Sequence, residues 1–131
     1  MGYKILIVDD DISITDYLKL ELKECCSELE VICENEGYQA LNRIMAGDID
    51  LLLTDIAMPD MDGYELYSRT KEFNEEIPII MMTGFGYDPD HVVVKSRKAG
   101  LQDVIFKPFD VQKLTEKIKK RIMGAEYVQN K

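Results

Sequence analysis

Five short apolar runs punctuate the chain, with stretches of helical period between them. Lys4-Ile5-Leu6-Ile7-Val8, Val31-Ile32-Cys33, Leu51-Leu52-Leu53-Thr54-Asp55, Pro78-Ile79-Ile80-Met81-Met82-Thr83 and Val104-Ile105-Phe106 are each bounded by polar or turn residues. Runs of this length read as strands buried on both faces. After the first, Ile14, Leu18, Leu22 and Cys25 recur at helical spacing and predict a helix from about Ile12 to Ser27, capped by Asp11 or Ser13. Gly37 introduces a second helix with Ala40, Leu41, Ile44 and Met45 inward, and Gly47 closes it. A third runs from about Tyr64 to Phe73, with Leu66 and Phe73 inward. The turn-rich segment Gly84 to Asp90 leads into a fourth, about Asp90 to Ala99, stopped by Gly100. Asp110 caps a fifth that turns Val111, Leu114, Ile118 and Ile122 inward.

Strand and helix alternate throughout, without repeats or low-complexity segments. The fold class is therefore α/β: a doubly wound five-stranded parallel sheet with five helices, one set on each face. Periodicity alone does not give the strand order, and among the common doubly wound arrangements the flavodoxin-like order is expected. The 131 residues suit one domain, taken as 1–123, with 124–131 as a C-terminal tail.

Charge and cysteines narrow the function classes. A net charge of −9 works against direct binding to nucleic acid or an anionic membrane. The two basic concentrations, Lys95 to Lys98 and Lys117 to Arg121, fall on predicted helices and read as solvated faces. Three cysteines, Cys25, Cys26 and Cys33, lack the spacing of a zinc site or a disulfide framework, so reduced thiols are expected. The start, Met1-Gly2-Tyr3-Lys4, runs into a strand without a signal-peptide layout, and no apolar run approaches a membrane span. A cytoplasmic location is the expectation.

The chemistry gathers at strand ends. Asp9, Asp10 and Asp11 follow the first strand, Asp55 ends the third, Thr83 the fourth, and Lys107 follows the fifth. In an open parallel sheet the carboxyl edge of the strands holds the ligand, and neighbouring strands stand roughly 5 Å apart. Several carboxylates so placed repel one another unless a cation or proton intervenes. A few hard oxygen donors with room for water and phosphate suit Mg2+. One hydroxyl and one ammonium beside them complete a site for a phosphoryl group in transfer.

Four segments, Ile7-Val8-Asp9-Asp10-Asp11, Thr54-Asp55-Ile56-Ala57-Met58-Pro59-Asp60-Met61-Asp62-Gly63, Met82-Thr83-Gly84 and Phe106-Lys107-Pro108-Phe109, together resemble the receiver domain of two-component response regulators. The resemblance covers nearly the whole chain. It implies that Asp55 is the phosphoacceptor in a phosphorelay, taking the phosphoryl group of a phosphohistidine on a sensor histidine kinase or histidine phosphotransfer protein. It further implies Asp10, Asp55 and the backbone carbonyl of Ala57 as Mg2+ ligands, with Asp9 acting through water. Thr83 would bond one phosphoryl oxygen and Lys107 neutralise another. Such a domain is a signalling module with slow autodephosphorylation, not an enzyme in its own right. Its partner or homodimer face would be the fourth helix, fifth strand and fifth helix. The resemblance also suggests a cis bond before Pro108. In one respect the chain departs from the family: Val104 stands on the fifth strand where a switching Tyr or Phe is usual, leaving Phe106 and Tyr87 as stand-ins.

Other readings of the same residues exist. Asp9-x-Asp11 also resembles the nucleophile motif of haloacid-dehalogenase-type phosphatases, but this chain is short for that family and Asp55 would have no role. A flavin carrier on the same fold would offer hydroxyls and backbone N–H groups in its first loop, where this chain offers three carboxylates. Asp60 and Asp62 read as turn residues before Gly63, and His91, the only histidine, as a surface residue.

Overall fold

In the computed structural model, residues 2–84, 103–107 and 110–124 are described. Nine elements follow in chain order: β1 (Tyr3–Val8), α1 (Ile12–Cys25), β2 (Leu29–Glu34), α2 (Gly37–Met45), β3 (Leu51–Asp55), α3 (Gly63–Phe73), β4 (Ile79–Thr83), β5 (Asp103–Phe106) and α4 (Val111–Met123). Here α4 is the fifth helix of the sequence reading. The expected fourth helix, about 90–99, lies outside the described residues, as do the loop residues 85–90 with Tyr87, His91, Pro108 and the tail from 125 onward.

The strands form one parallel sheet in the order β2-β1-β3-β4-β5, the flavodoxin-like arrangement. Side chains alternate across it with period two. Leu6 and Val8 of β1, Leu52 of β3 and Met81 of β4 face α2 and α3, where they meet Ala40, Leu41, Ile44 and Leu66. Ile5, Ile7, Leu51, Leu53, Ile80 and Met82 face α1 and α4, against Leu18, Leu22, Val111, Leu114 and Ile118. The sheet is thus sealed on both faces, which is why its strands read as continuous apolar runs. Among the described residues no helix is long and apolar enough to cross a membrane.

Helix ends explain where the inward assignments fail. Cys25 is the last residue of α1 and is exposed; Cys26, extended and bonded through its N–H to Leu22 O, is the buried one. Met45 and Phe73 are 55% and 46% exposed. Each is the final residue of its helix, past Ile44 in α2 and Thr70 in α3, the last positions the sheet covers. Three of the described helix starts follow capping chemistry, while Glu36 before α2 makes no side-chain cap. Asp11 caps α1, accepting from Ser13 N; Asp62 caps α3, accepting from Glu65 N; and Asp110 caps α4, accepting from Gln112 N.

Candidate functional site

The register of the sheet brings the expected residues to one edge. Val8 pairs with Thr54, Asp55 with Met82, and Thr83 with Phe106, so Asp9, Asp55, Thr83 and Lys107 leave four adjacent strands at the same level. Carboxylate oxygens of Asp9, Asp10 and Asp55 all lie within 4.8 Å of one another. Asp9 and Asp55 are buried, at 1% and 7% exposure, while Asp10 opens to solvent. Ala57 is two residues beyond β3 and half-buried, in the loop that Asp62 ends.

Lys107 reaches into the cluster. Its Nζ lies 2.6 Å from Asp9 Oδ2 and 3.4 Å from Asp55 Oδ1. Both contacts are ion pairs, and the shorter is with Asp9. Its backbone N–H donates to Thr83 O at 2.7 Å, which joins the ends of β4 and β5. Thr83 itself is buried, and its hydroxyl has no hydrogen-bond partner among the described residues. A buried polar atom left unsatisfied is uncommon and suits a group that meets its partner only when a ligand is bound.

The electrostatics follow from this crowding. Burial, and then the charge of Asp9, push the Asp55 carboxyl from 3.8 up to about 6, with Lys107 opposing them. Burial and Asp9 likewise raise Asp10. For Lys107, burial works to lower the ammonium, but the hydrogen bond it donates to Asp9 and the charges of Asp55 and Asp9 outweigh it and raise its pKa. Oxygen-only donors, two of them buried and mutually repelling, fit a hard divalent cation such as Mg2+.

Backbone packing holds the Asp55 end of β3. The Thr54 hydroxyl donates to Asp55 O at 3.0 Å, and Ile56 N–H to Met82 O at 3.0 Å. Gly63 opens α3 directly against this segment: a Cβ there would stand 2.5 Å from Asp55 O and 2.9 Å from Ile56 Cα. On the other side, Asp9 Oδ1 accepts from Asp11 N at 3.0 Å, and Asp9 O accepts from Asn35 Nδ2 at 2.8 Å. Sequence reasoning missed Asn35. It lies between a strand and a helix, where no periodicity marks it. Asp11 caps α1, with Ser13 N and Oγ both donating to its Oδ1.

Of the two stand-ins for the missing aromatic, Phe106 is 41% exposed and Tyr87 lies outside the described residues. Val104 packs against the cluster under α2 and α3. Beside Phe106, an open groove of about 320 Å³ is lined by Ile105, Phe106, Asp110, Lys113, Leu114 and Lys117, between β5 and α4.

Comparison with known proteins bears on the same residues. The family model for the response regulator receiver domain matches residues 5–119. A transcriptional regulatory protein ZraR from Klebsiella oxytoca is 39% identical over 110 residues, which are 84% of this chain and 24% of that protein. Its namesake from Salmonella typhimurium is 35% identical over 93% of this chain and 28% of its own length. The chain therefore spans about a quarter of these curated relatives. Among solved structures, a CheY-like response regulator receiver domain protein from Methanospirillum hungatei aligns with a TM-score of 0.85 and 34% identity, covering 97% of this chain and 98% of that one. A putative response regulator from Chloroflexus aurantiacus aligns at 0.83 with 31% identity, covering 94% and 99%.

Proposed function

This chain belongs to the response regulator receiver family, and on that premise we propose that Asp55 accepts a phosphoryl group from a phosphohistidine of a partner histidine kinase or phosphotransfer protein. One observation carries the reading: a buried carboxylate at the end of β3 sits beside two further carboxylates, with the Lys107 ammonium 3.4 Å away. Asp10, Asp55 and the Ala57 carbonyl would hold Mg2+, with Asp9 behind a water. Bound there, the ion would supply positive charge to offset the phosphoryl oxygens and the carboxylates facing them.

The chain's own groups do the rest. Near pH 7 Asp55 is above its pKa of about 6, so its carboxylate is in the nucleophilic form. One of its oxygens forms the new P–O bond as the P–N bond of the donor breaks, and the electron pair stays on the imidazole. Lys107 reduces the repulsion between anionic nucleophile and anionic phosphoryl group. Thr83, whose hydroxyl has no partner among the described residues, donates to a phosphoryl oxygen. The aspartyl phosphate then hydrolyses slowly, so the domain is a timed switch.

Movement of Thr83 toward the phosphoryl group would alter packing around Val104 and β5, and the β5–α4 side is the face we assign to partners or to a second copy. The folded unit is taken as residues 1–123. Three free thiols suit a reducing compartment, the cytoplasm. The test is intact mass after incubation with Mg2+ and acetyl phosphate. A Mg2+-dependent gain of one phosphoryl group, absent in Asp55→Asn, is expected. No gain, or a gain that survives the substitution, would move the nucleophile elsewhere.

A further inference from the structure

Asn35, in the turn between β2 and α2, offers no ligand to the site, yet its side chain is spent on it. Nδ2 donates to Asp9 O at 2.8 Å and to Thr15 Oγ1 at 3.1 Å. Thr15 is buried and passes the chain of bonds on, its hydroxyl donating to Ile12 O at 3.0 Å. One amide therefore ties the end of β1 to the first turn of α1 from outside both.

The peptide bond turns that tie into control of a ligand. Asp9 O and Asp10 N belong to one planar unit, so a bond that orients the carbonyl also orients the following N–Cα, from which the Asp10 side chain departs. Asp9 N–H donates to Glu34 O at 3.3 Å, its Oδ1 accepts from Asp11 N, and its Oδ2 takes Lys107. These fix Asp9. Its carbonyl bond acts on the plane leading into Asp10, and Asn35 supplies it. The restraint matters because the Asp9, Asp10 and Asp55 oxygens converge within 4.8 Å and repel one another. Without a hold from behind, the loop carrying Asp10 relaxes outward, and the cost of regathering the ligands falls on cation binding.

The geometry points to Asn35 as a positioning residue that holds Asp10 in place for a divalent cation, a role that rests on the cation reading of the acidic cluster. The test is calorimetric titration of the full chain with Mg2+ alone, without phosphodonor, alongside thermal unfolding in chelator. Wild type is expected to bind and Asp10→Asn to lose most of the affinity. Asn35→Ala is expected to bind about 10-fold more weakly, the lower end of what loss of an outer partner costs a metal site. Asn35→Ser, too short to span both acceptors and well suited to a turn, should behave the same and decides the matter if Asn35→Ala does not fold. Ile118→Ala, a cavity variant in α4 away from the site, should lose stability and keep its Mg2+ affinity.

If the Asn35 variants are less stable but bind Mg2+ like wild type, the amide is merely structural and the proposal is overturned. It is likewise overturned if Ile118→Ala loses affinity to the same extent. Should Asp10→Asn bind as wild type does, the cation reading itself fails, and Asn35's role with it.

Discussion

Asp55 is held by the fold in a state that works against folding. With its carboxyl raised from 3.8 to about 6, chiefly by burial, the metal-free native protein binds more protons than the unfolded chain between those values. Stability from this group is therefore fully present below pH 3.8 and is lost as pH rises through about 6. Asp55→Asn removes the loss. Thermal unfolding in chelator should find the variant the more stable at pH 8, by about 2 kcal/mol, the roughly 3 kcal/mol of the full shift being reduced because water reaches the site past Asp10. The difference should shrink steadily toward pH 4. A gap between the two proteins that does not change with pH would contradict this account. The residues of the site were legible for one reason: Asp9, Asp10, Asp55, Thr83 and Lys107 each stand where an apolar run stops, and parallel strands stop together. Asn35 was not legible, because a turn residue's partners depend on which strands are neighbours. Nor was the preference of Lys107 for Asp9, which depends on side-chain reach across the sheet edge.

Element boundaries repeat the contrast. The apolar runs located all five strands, since burial on both faces leaves few alternatives. Which residues a helix turns inward was readable in its middle turns and failed at the last residue of α1, α2 and α3, as Met45, Phe73 and the Cys25-Cys26 pair show, because helix length relative to the sheet is not written in periodicity. Gly63 makes the tightest junction between elements at the site. Within a helix, alanine is ordinarily favoured over glycine by up to about 1 kcal/mol. At Gly63 the added carbon would meet backbone atoms of Asp55 and Ile56, which cannot swing aside as a flexible side chain would. Gly63→Ala is accordingly expected to destabilise by about 1–3 kcal/mol in urea unfolding and to slow phosphoryl uptake from acetyl phosphate. A neutral or stabilising outcome would mean that α3 shifts without cost.

For the molecule as a whole, two features meet on the β5–α4 side: the exposed Phe106 and a groove with Lys113 and Lys117 on its rim. A chain of net charge −9 disfavours self-association unless such a basic margin meets acidic surface. Sedimentation velocity with Mg2+ and beryllium fluoride, a phosphoryl mimic, should reveal a shift toward dimer that Phe106→Ser abolishes while Mg2+ binding persists. A monomer under all conditions would assign this face to a different protein. The groove was not legible in the sequence, since its walls come from segments that meet only once the sheet closes.

The contact between Lys107 and Asp9 spans 98 positions of the chain. During synthesis the acidic residues emerge early, and their counter-ion emerges last. A nascent or clipped polypeptide that lacks β5 and Lys107 has every carboxylate of the site and lacks the ammonium that pairs with Asp9 and Asp55.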